Sequence, residues 1–460
     1  MRRRFGWWIG GSLLLSAAAA WTVARPDLAA QAAAGMAAHN LCSASFVAGL
    51  DPDATFREFV RPLVGGPIGR FLRYRVNRKD KTVQTSFAWT AHARAQFTPG
   101  YGCRLDYVDN VPAPAPVPPA VAQPDDFAPA GPVATSDPAI GHALDQVFSE
   151  RPGRPAKRVK AIVVVKDGHV VAERYAPGFG IDTPLLSYSV AKSFTNALFG
   201  ILVHQKRLRI DQKVAAHEWA GAADPRASIS LEDLLRMRSG LDAAETGSGF
   251  DPATRMLYSH ADMAAFAAQH TLKHDPGATW EYTSANTLIL DRVLGDTVGG
   301  RAAGMRGFAM RELFAPLGMG DVTMEFDGAG VFIGSSYVYA SARSFARFGE
   351  LYRNDGIAPN GHRLLPEGWV AWSSRSTLGF PYGAGFWTND GPSKQATGRV
   401  ALGFPKDGFF ASGNMGQRIY IIPSERLVIA RFGYSEPPMF GIDDDLSLID
   451  TVIRATRRAR

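Results

Sequence analysis

Ser189-Val190-Ala191-Lys192 runs directly into Ser193-Phe194-Thr195-Asn196-Ala197-Leu198-Phe199-Gly200-Ile201-Leu202, and this stretch decides how the rest of the chain is read. The run reads as a buried helix. Residues three apart on a helix share a face, so the Ser189 hydroxyl and the Lys192 amine would touch. An amine takes a hydroxyl proton only when it is neutral, and burial or cationic neighbours lower a lysine pKa enough to allow that. The positive end of the helix dipole would favour negative charge developing at Ser189. An isolated S-x-x-K is equally a capping serine followed by a solvated lysine. Here Leu185, Leu186, Val190, Ala191 and Phe194 surround the pair and argue against a solvated lysine.

Two further stretches carry polar groups of the right kind. Trp280-Glu281-Tyr282-Thr283-Ser284-Ala285-Asn286 leads into a helical run, and a tyrosine near charged partners can relay a proton. Taken locally, Tyr282 is also readable as a half-buried ring and Ser284 as an N-cap. Ser412-Gly413-Asn414-Met415-Gly416-Gln417-Arg418 precedes a strand, where glycines let the backbone approach a ligand and a strand edge can offer an N–H to an oxyanion. A plain turn explains the same residues.

The order of the three elements, S-x-x-K, then Y-x-S, then a glycine-containing triplet opening a late strand, resembles the serine β-lactamase and penicillin-recognising superfamily. The branch it resembles holds class C β-lactamases, their esterase relatives and 6-aminohexanoate-dimer hydrolases. Leu234-Leu235-Arg236-Met237-Arg238-Ser239-Gly240-Leu241, Ala342-Arg343-Ser344-Phe345-Ala346-Arg347-Phe348 and Leu365-Pro366-Glu367-Gly368-Trp369 support the likeness, which covers roughly residues 140–455. The resemblance implies a layered α+β, β-lactamase/transpeptidase-like fold. It implies Ser189 as the acylated nucleophile, Lys192 as proton acceptor or tuner, and Tyr282 as base or relay. It places Ser284, Asn414, Gly416 and Gln417 at the substrate, with the backbone N–H groups of Ser189 and Gln417 as the oxyanion hole. Asn414 stands where the family usually has lysine or histidine, and Ser284 where asparagine is commoner. Loss of a cation that would hold a substrate carboxylate argues against efficient β-lactam hydrolysis and for a small ester or amide substrate.

The strand pattern points to the same architecture. Val159–Val165 and His169–Tyr175 flank Lys166-Asp167-Gly168, a hairpin signal. Gln417–Pro423 and Leu427–Phe432 form a second pair near the end. Residues 443–458 begin with three aspartates, end in arginines and repeat Leu446, Ile449 and Ile453 at helical spacing, an amphipathic helix with charges matched to its dipole. Strands at both ends with helices between predict one antiparallel sheet of early and late strands, flanked by helices, with an all-helical insert.

Residues 135–460 form this domain. Before it lie residues 27–106, then residues 107–134, a proline-alternating stretch that reads as a stiff linker or surface strap. Residues 1–26 read as an export signal or single membrane anchor: Arg2, Arg3 and Arg4 precede an uncharged stretch at 5–24. That predicts a periplasmic or otherwise extracytoplasmic protein. In such a compartment Cys42 and Cys103 would pair.

Three arginines at the start and four at the end (Arg454, Arg457, Arg458 and Arg460) account for the whole formal charge of +7. The body between is formally neutral, against a nucleic-acid-binding face. There is no G-x-S-x-G elbow for a Ser-His-Asp hydrolase and no H-E-x-x-H or tight Cys/His spacing for a metal, so neither metal nor cofactor is expected. The competing readings are a β-lactamase or D-amino-acid peptidase acting on cell-wall-type substrates, and a binding or sensor relative that kept the fold without the chemistry.

Overall fold

The computed structural model describes residues 25–65, 68–88, 90–118, 126–221, 223–438 and 440–458. Of the leader reading at residues 1–26, residues 1–24 lie outside them. Among the described residues no helix is long and apolar enough to cross a membrane.

The central sheet is antiparallel throughout. Its strands run in the order β10 (Trp387–Thr388), β11 (Phe409–Gly413), β12 (Gln417–Ile422), β13 (Leu427–Gly433), β5 (Val159–Lys166) and β6 (His169–Tyr175). The early and late strands therefore meet, with Val163 opposite Ala430 and Val165 opposite Val428. The two-residue link Asp167-Gly168 has positive φ at both positions, 52° and 87°, the backbone that a type I′ hairpin requires.

Both faces of the sheet are covered, which explains its near-continuous apolar strands. Ile162, Val164, Tyr420 and Ile429 pack against two helices, α2 (Pro138–Phe148) and α6 (Ile442–Arg458). Leu446, Ile449 and Ile453 face this layer as their spacing predicts. Ala161, Val163, Ile419 and Ala430 face the larger core, which contains α3 (Ala191–His204), α4 (Ser284–Val298) and α5 (Ala342–Arg353). Short helices fill the region between α3 and α5, and a small sheet of β7 (Leu185–Leu186), β9 (Val338–Ala340) and β8 (Thr323–Met324) sits beside the start of α3.

The N-terminal extension joins the same core. Helix α1 (Pro26–Phe46) lies across a four-stranded antiparallel meander, β1 (Leu72–Asn77), β2 (Thr82–Phe87), β3 (Ala91–Thr98) and β4 (Gly102–Leu105). Ala37, Leu41, Val83 and Ala95 belong to one apolar cluster with Phe194 and Leu198 of α3. Glu325 of the body is fully buried and reaches into the extension. It accepts from Ser43 Oγ at 2.7 Å and from the Cys103 amide at 2.8 Å, and lies 3.1 Å from His39 Nε2. The proline-rich segment is a strap: the amides of Val111 and Val117 bond to the carbonyls of Gly328 and Pro99, and Arg343 holds the carbonyls of Pro129 and Gly131.

Cys42 of α1 and Cys103 of β4 are joined by a disulfide, with Cα atoms 6.0 Å apart and a sequence separation of 61. Closing a loop of that length removes unfolded-state entropy worth about 4 kcal/mol in the chain-entropy model. Replacing both cysteines by alanine should lower the unfolding free energy by about that amount in denaturant titration, with a higher m-value because the uncrosslinked denatured chain exposes more surface. A change under about 1 kcal/mol would show that packing alone holds the extension.

Candidate active site

Ser189 sits in a tight turn, Tyr188–Val190, between β7 and α3. Tyr188 has φ 44°, a left-handed conformation that a non-glycine residue adopts at a cost of roughly 1–2 kcal/mol. The turn is pinned by Ser187, whose Oγ donates to the carbonyl oxygens of Tyr188 and Ser336 and accepts from the Val338 amide. Apolar side chains surround it, and Val190, Ala191 and Phe194 are fully buried. The turn thus aims one polar group, the Ser189 hydroxyl, out of an otherwise apolar shell.

Lys192 lies one turn further on and is only 3% exposed. Its Nζ donates to Ser189 Oγ at 3.1 Å, Ser284 Oγ at 3.0 Å and the Ser335 carbonyl at 3.0 Å. The ammonium is fully bonded but desolvated, and desolvation lowers its pKa to about 8 against the opposing pull of Glu245 and Asp291. Nζ also lies 4.9 Å from the Tyr282 ring centroid. The Tyr282 side chain lies close enough to Ser189 for the serine hydroxyl to act on its phenol, and both line the same cavity. Burial and the Glu245 charge hold that phenol well above its ordinary pKa, so it stays protonated at neutral pH. Trp387 stacks on Tyr282 with centroids 5.9 Å apart, and Tyr382 meets it edge-on at 5.7 Å, fixing the ring plane. Hydroxyl, amine and phenol, spread over 94 positions of sequence, meet at one point.

Ser284 is a departure from its predicted place. It is 1% exposed and does not line the cavity in front of Ser189. Thr283, whose side chain accepts from the Ala285 amide, is the N-cap of α4, so Ser284 begins the helix and points inward at Lys192. It orients the amine rather than facing a substrate.

The third motif needs a larger correction. Ser412, Gly413 and Asn414 line the cavity, whereas Gly416 and Gln417 do not. Residues 414–416 turn the chain from β11 into β12, which carries Gln417 one strand away from Ser189. The Gln417 amide spans to β13 instead: Nε2 donates to the Gly433 carbonyl and Oε1 accepts from the Gly433 amide. At Gly416, φ is 86° and the Arg431 guanidinium occupies the space of a side chain, 2.4 Å from where a Cβ would stand. Its requirement is packing. The glycine that serves the site is Gly413, where a Cβ would stand 2.4 Å from the Ser187 carbonyl oxygen. Only glycine lets the end of β11 lie against the serine turn, and this brings the Ser412–Asn414 backbone beside Ser189.

Glu245 was not singled out from the sequence. It lines the cavity and accepts a short hydrogen bond from the Ser284 amide at the start of α4. Its charge bears on both Lys192 and Tyr282. It lies in an irregular loop 39 residues before its partner, so no local pattern marks it. Asp291, buried on α4, accepts from Thr195 Oγ1 and the Gly334 amide and so fixes α3 against the loop that supplies the Ser335 carbonyl. No histidine is among the described residues lining the cavity.

The Beta-lactamase family profile matches residues 144–451. A 6-aminohexanoate-dimer hydrolase from Paenarthrobacter ureafaciens is 28% identical over 272 residues, which are 55% of this chain and 65% of that protein. The match thus spans just under two thirds of the relative's length. A putative 6-aminohexanoate-dimer hydrolase from Bacillus anthracis superposes with a TM-score of 0.58 at 18% identity, covering 72% of this chain and 89% of the other. A penicillin-binding-protein homologue from Caulobacter crescentus gives 0.53 at 19% identity, covering 70% and 98%. The expected α+β fold is thereby borne out, and the chain belongs to the beta-lactamase family of serine hydrolases.

Proposed function

We propose that this chain is an exported serine hydrolase that cleaves an ester or amide through an acyl-enzyme on Ser189. The observation that carries the proposal is the convergence of the Ser189 hydroxyl, the Lys192 amine and the Tyr282 phenol. In the neutral-amine form, Lys192 Nζ takes the Ser189 proton as Oγ bonds to the substrate carbonyl carbon. The oxyanion rests on the Ser189 amide and on an amide from the end of β11. As the intermediate collapses, the bond to the leaving oxygen or nitrogen breaks, and Tyr282 gives that atom its proton and regains, through water in the cavity, the proton that Lys192 took. Water then adds to the acyl carbon and Ser189 is released, with the proton transfers reversed.

An oxidising compartment is supported by the Cys42–Cys103 disulfide and by the arginine-led uncharged stretch at residues 5–24. That stretch serves as a cleaved signal or as an anchor. A β-lactamase or cell-wall peptidase is the less favoured reading. Arg418 is the one arginine or lysine among the described residues lining the cavity, and it is ion-paired with Asp445 at 2.7 Å. Ser412, Gly413 and Asn414, the residues that the end of β11 brings to the cavity, supply no cation to hold a substrate carboxylate.

A fluorophosphonate probe should label the wild type and leave Ser189→Ala unlabelled, and a p-nitrophenyl ester should give burst kinetics. Lys192→Ala should lose at least ~100-fold in kcat. A loss under about tenfold would remove the amine from the mechanism, and a protein that never labels would be a binding relative.

The pH dependence follows from the amine. Its active form is deprotonated, so kcat/KM should rise as pH passes through about 8 and level off above. Glu245 favours the protonated amine, so Glu245→Gln should move that rise to lower pH. A rise that stays in place, or moves upward, would contradict the assignment of Lys192 as proton acceptor.

A further inference from the structure

The cavity in front of Ser189 has a volume of about 880 Å³, ample for a drug-sized ligand. Polar groups of Ser189, Glu245, Tyr282, Ser412 and Asn414 line it, as do Ser248 and Thr254. A further wall comes from the N-terminal extension. Pro26, Ala29, Ala30, Ala33 and Met36 all line it, and their spacing of three or four residues makes them one stripe of α1. Leu63, Val64 and Ile68 continue this wall, and Phe250 and Leu257 face it from the loop and helix that follow Glu245. Four of the six α1 residues that line the cavity, Ala29, Ala30, Ala32 and Ala33, are alanine, the smallest side chain that keeps a helix stable, so the helix leaves space where larger residues would fill it.

The rim is apolar as well. Ile68 is 55% exposed and Phe250 54% exposed. Large aliphatic and aromatic side chains left this open beside a polar reaction centre fit a ligand that covers them. Arg418, the one arginine or lysine among the described residues lining the chamber, is already paired with Asp445. A charged substrate arm would therefore enter this wall without a counter-ion, at a desolvation cost.

Resting on the hydrolase reading, we propose that this chamber selects substrates carrying an uncharged apolar arm, a medium-length alkyl or aryl chain seated between α1 and Phe250 with the scissile carbonyl at Ser189. The N-terminal extension is then part of the binding site and sets its depth.

The test uses the full chain. One arm measures p-nitrophenyl alkanoates from acetate to dodecanoate, which lengthen the acyl side. The other measures alkyl acetates of rising length, which lengthen the alcohol side. kcat/KM should climb at least tenfold from the shortest to a mid-length chain in one arm, and that arm identifies which side of the carbonyl the chamber takes. Ala33→Phe, which fills the stripe, should cut the octyl-to-methyl selectivity ratio of that arm at least tenfold, and Phe250→Ala at the exposed rim should cut it several-fold. Flat profiles in both arms, or selectivity ratios unchanged in both variants, would overturn the proposal. If the wild type turned over no ester and took no fluorophosphonate label, the hydrolase reading would fail. The chamber would then be judged by calorimetric binding of octyl acetate to Ser189→Ala protein, with methyl acetate as the comparison. Tighter binding of the octyl ester that Ala33→Phe abolishes supports the chamber, and equal weak binding of both esters overturns it.

Discussion

The site depends on one buried amine. Lys192 is almost wholly removed from water, and each of its three donor directions is occupied, by Ser189, Ser284 and the Ser335 carbonyl. A buried ammonium without these partners would be prohibitively costly. With them it remains in place, yet desolvation still lowers its pKa to about 8. The partners hold the amine in position while the surroundings weaken its grip on its proton. Removing the apolar shell around α3 would restore an ordinary lysine, and the Ser189 hydroxyl would lose its acceptor.

That shell is a product of the fold. The central sheet buries both faces, so α3 can lie in the interior with nearly every residue from Ala191 to Leu202 out of water. Its first turn meets the end of β11 because Gly413 has no side chain there. Helix α4 starts at the same place, which brings Tyr282 to Ser189 from before the helix and Ser284 to Lys192 from its first residue. Three elements distant in sequence thus deliver their ends to one volume, and the polar groups are those that the ends expose.

Much of this was legible in the sequence because it rests on periodicity and local chemistry. The β5–β6 hairpin followed from Asp167-Gly168, the last helix from Leu446, Ile449 and Ile453, and the contact between Ser189 and Lys192 from a three-residue helical spacing. The errors fell where tertiary placement decides. The family resemblance puts Gly416 and Gln417 at the substrate as part of a glycine-containing triplet opening a late strand. In the fold the turn there ends one strand and starts the next, so the residues before it reach the site and those after it do not. Ser284 was read as facing substrate, but the cap falls on Thr283 and rotates Ser284 inward. Glu245 was invisible because its role arises from a contact 39 residues away. The proline-rich segment showed its stiffness but not its partners, since carbonyls of Gly328 and Pro99 leave no trace in local composition.

The same burial acts on Lys192 and Tyr282 with opposite consequences. Taking water away disfavours the charged form of each, so the ammonium pKa falls and the phenol pKa rises. Glu245 opposes the first shift and reinforces the second. The amine therefore becomes the group that can accept a proton near neutral pH, and the phenol the group that cannot lose one without an immediate replacement. Two groups whose surroundings force them into different proton states take different roles. A tyrosinate acting as the first base would need stabilisation from the lysine that exceeds both the desolvation and the Glu245 charge. The Lys192 ammonium instead directs its hydrogen bonds at Ser189, Ser284 and Ser335 and meets the Tyr282 ring only through its face. On the proposed mechanism, that geometry favours the amine as the first proton acceptor and the phenol as the donor to the leaving group.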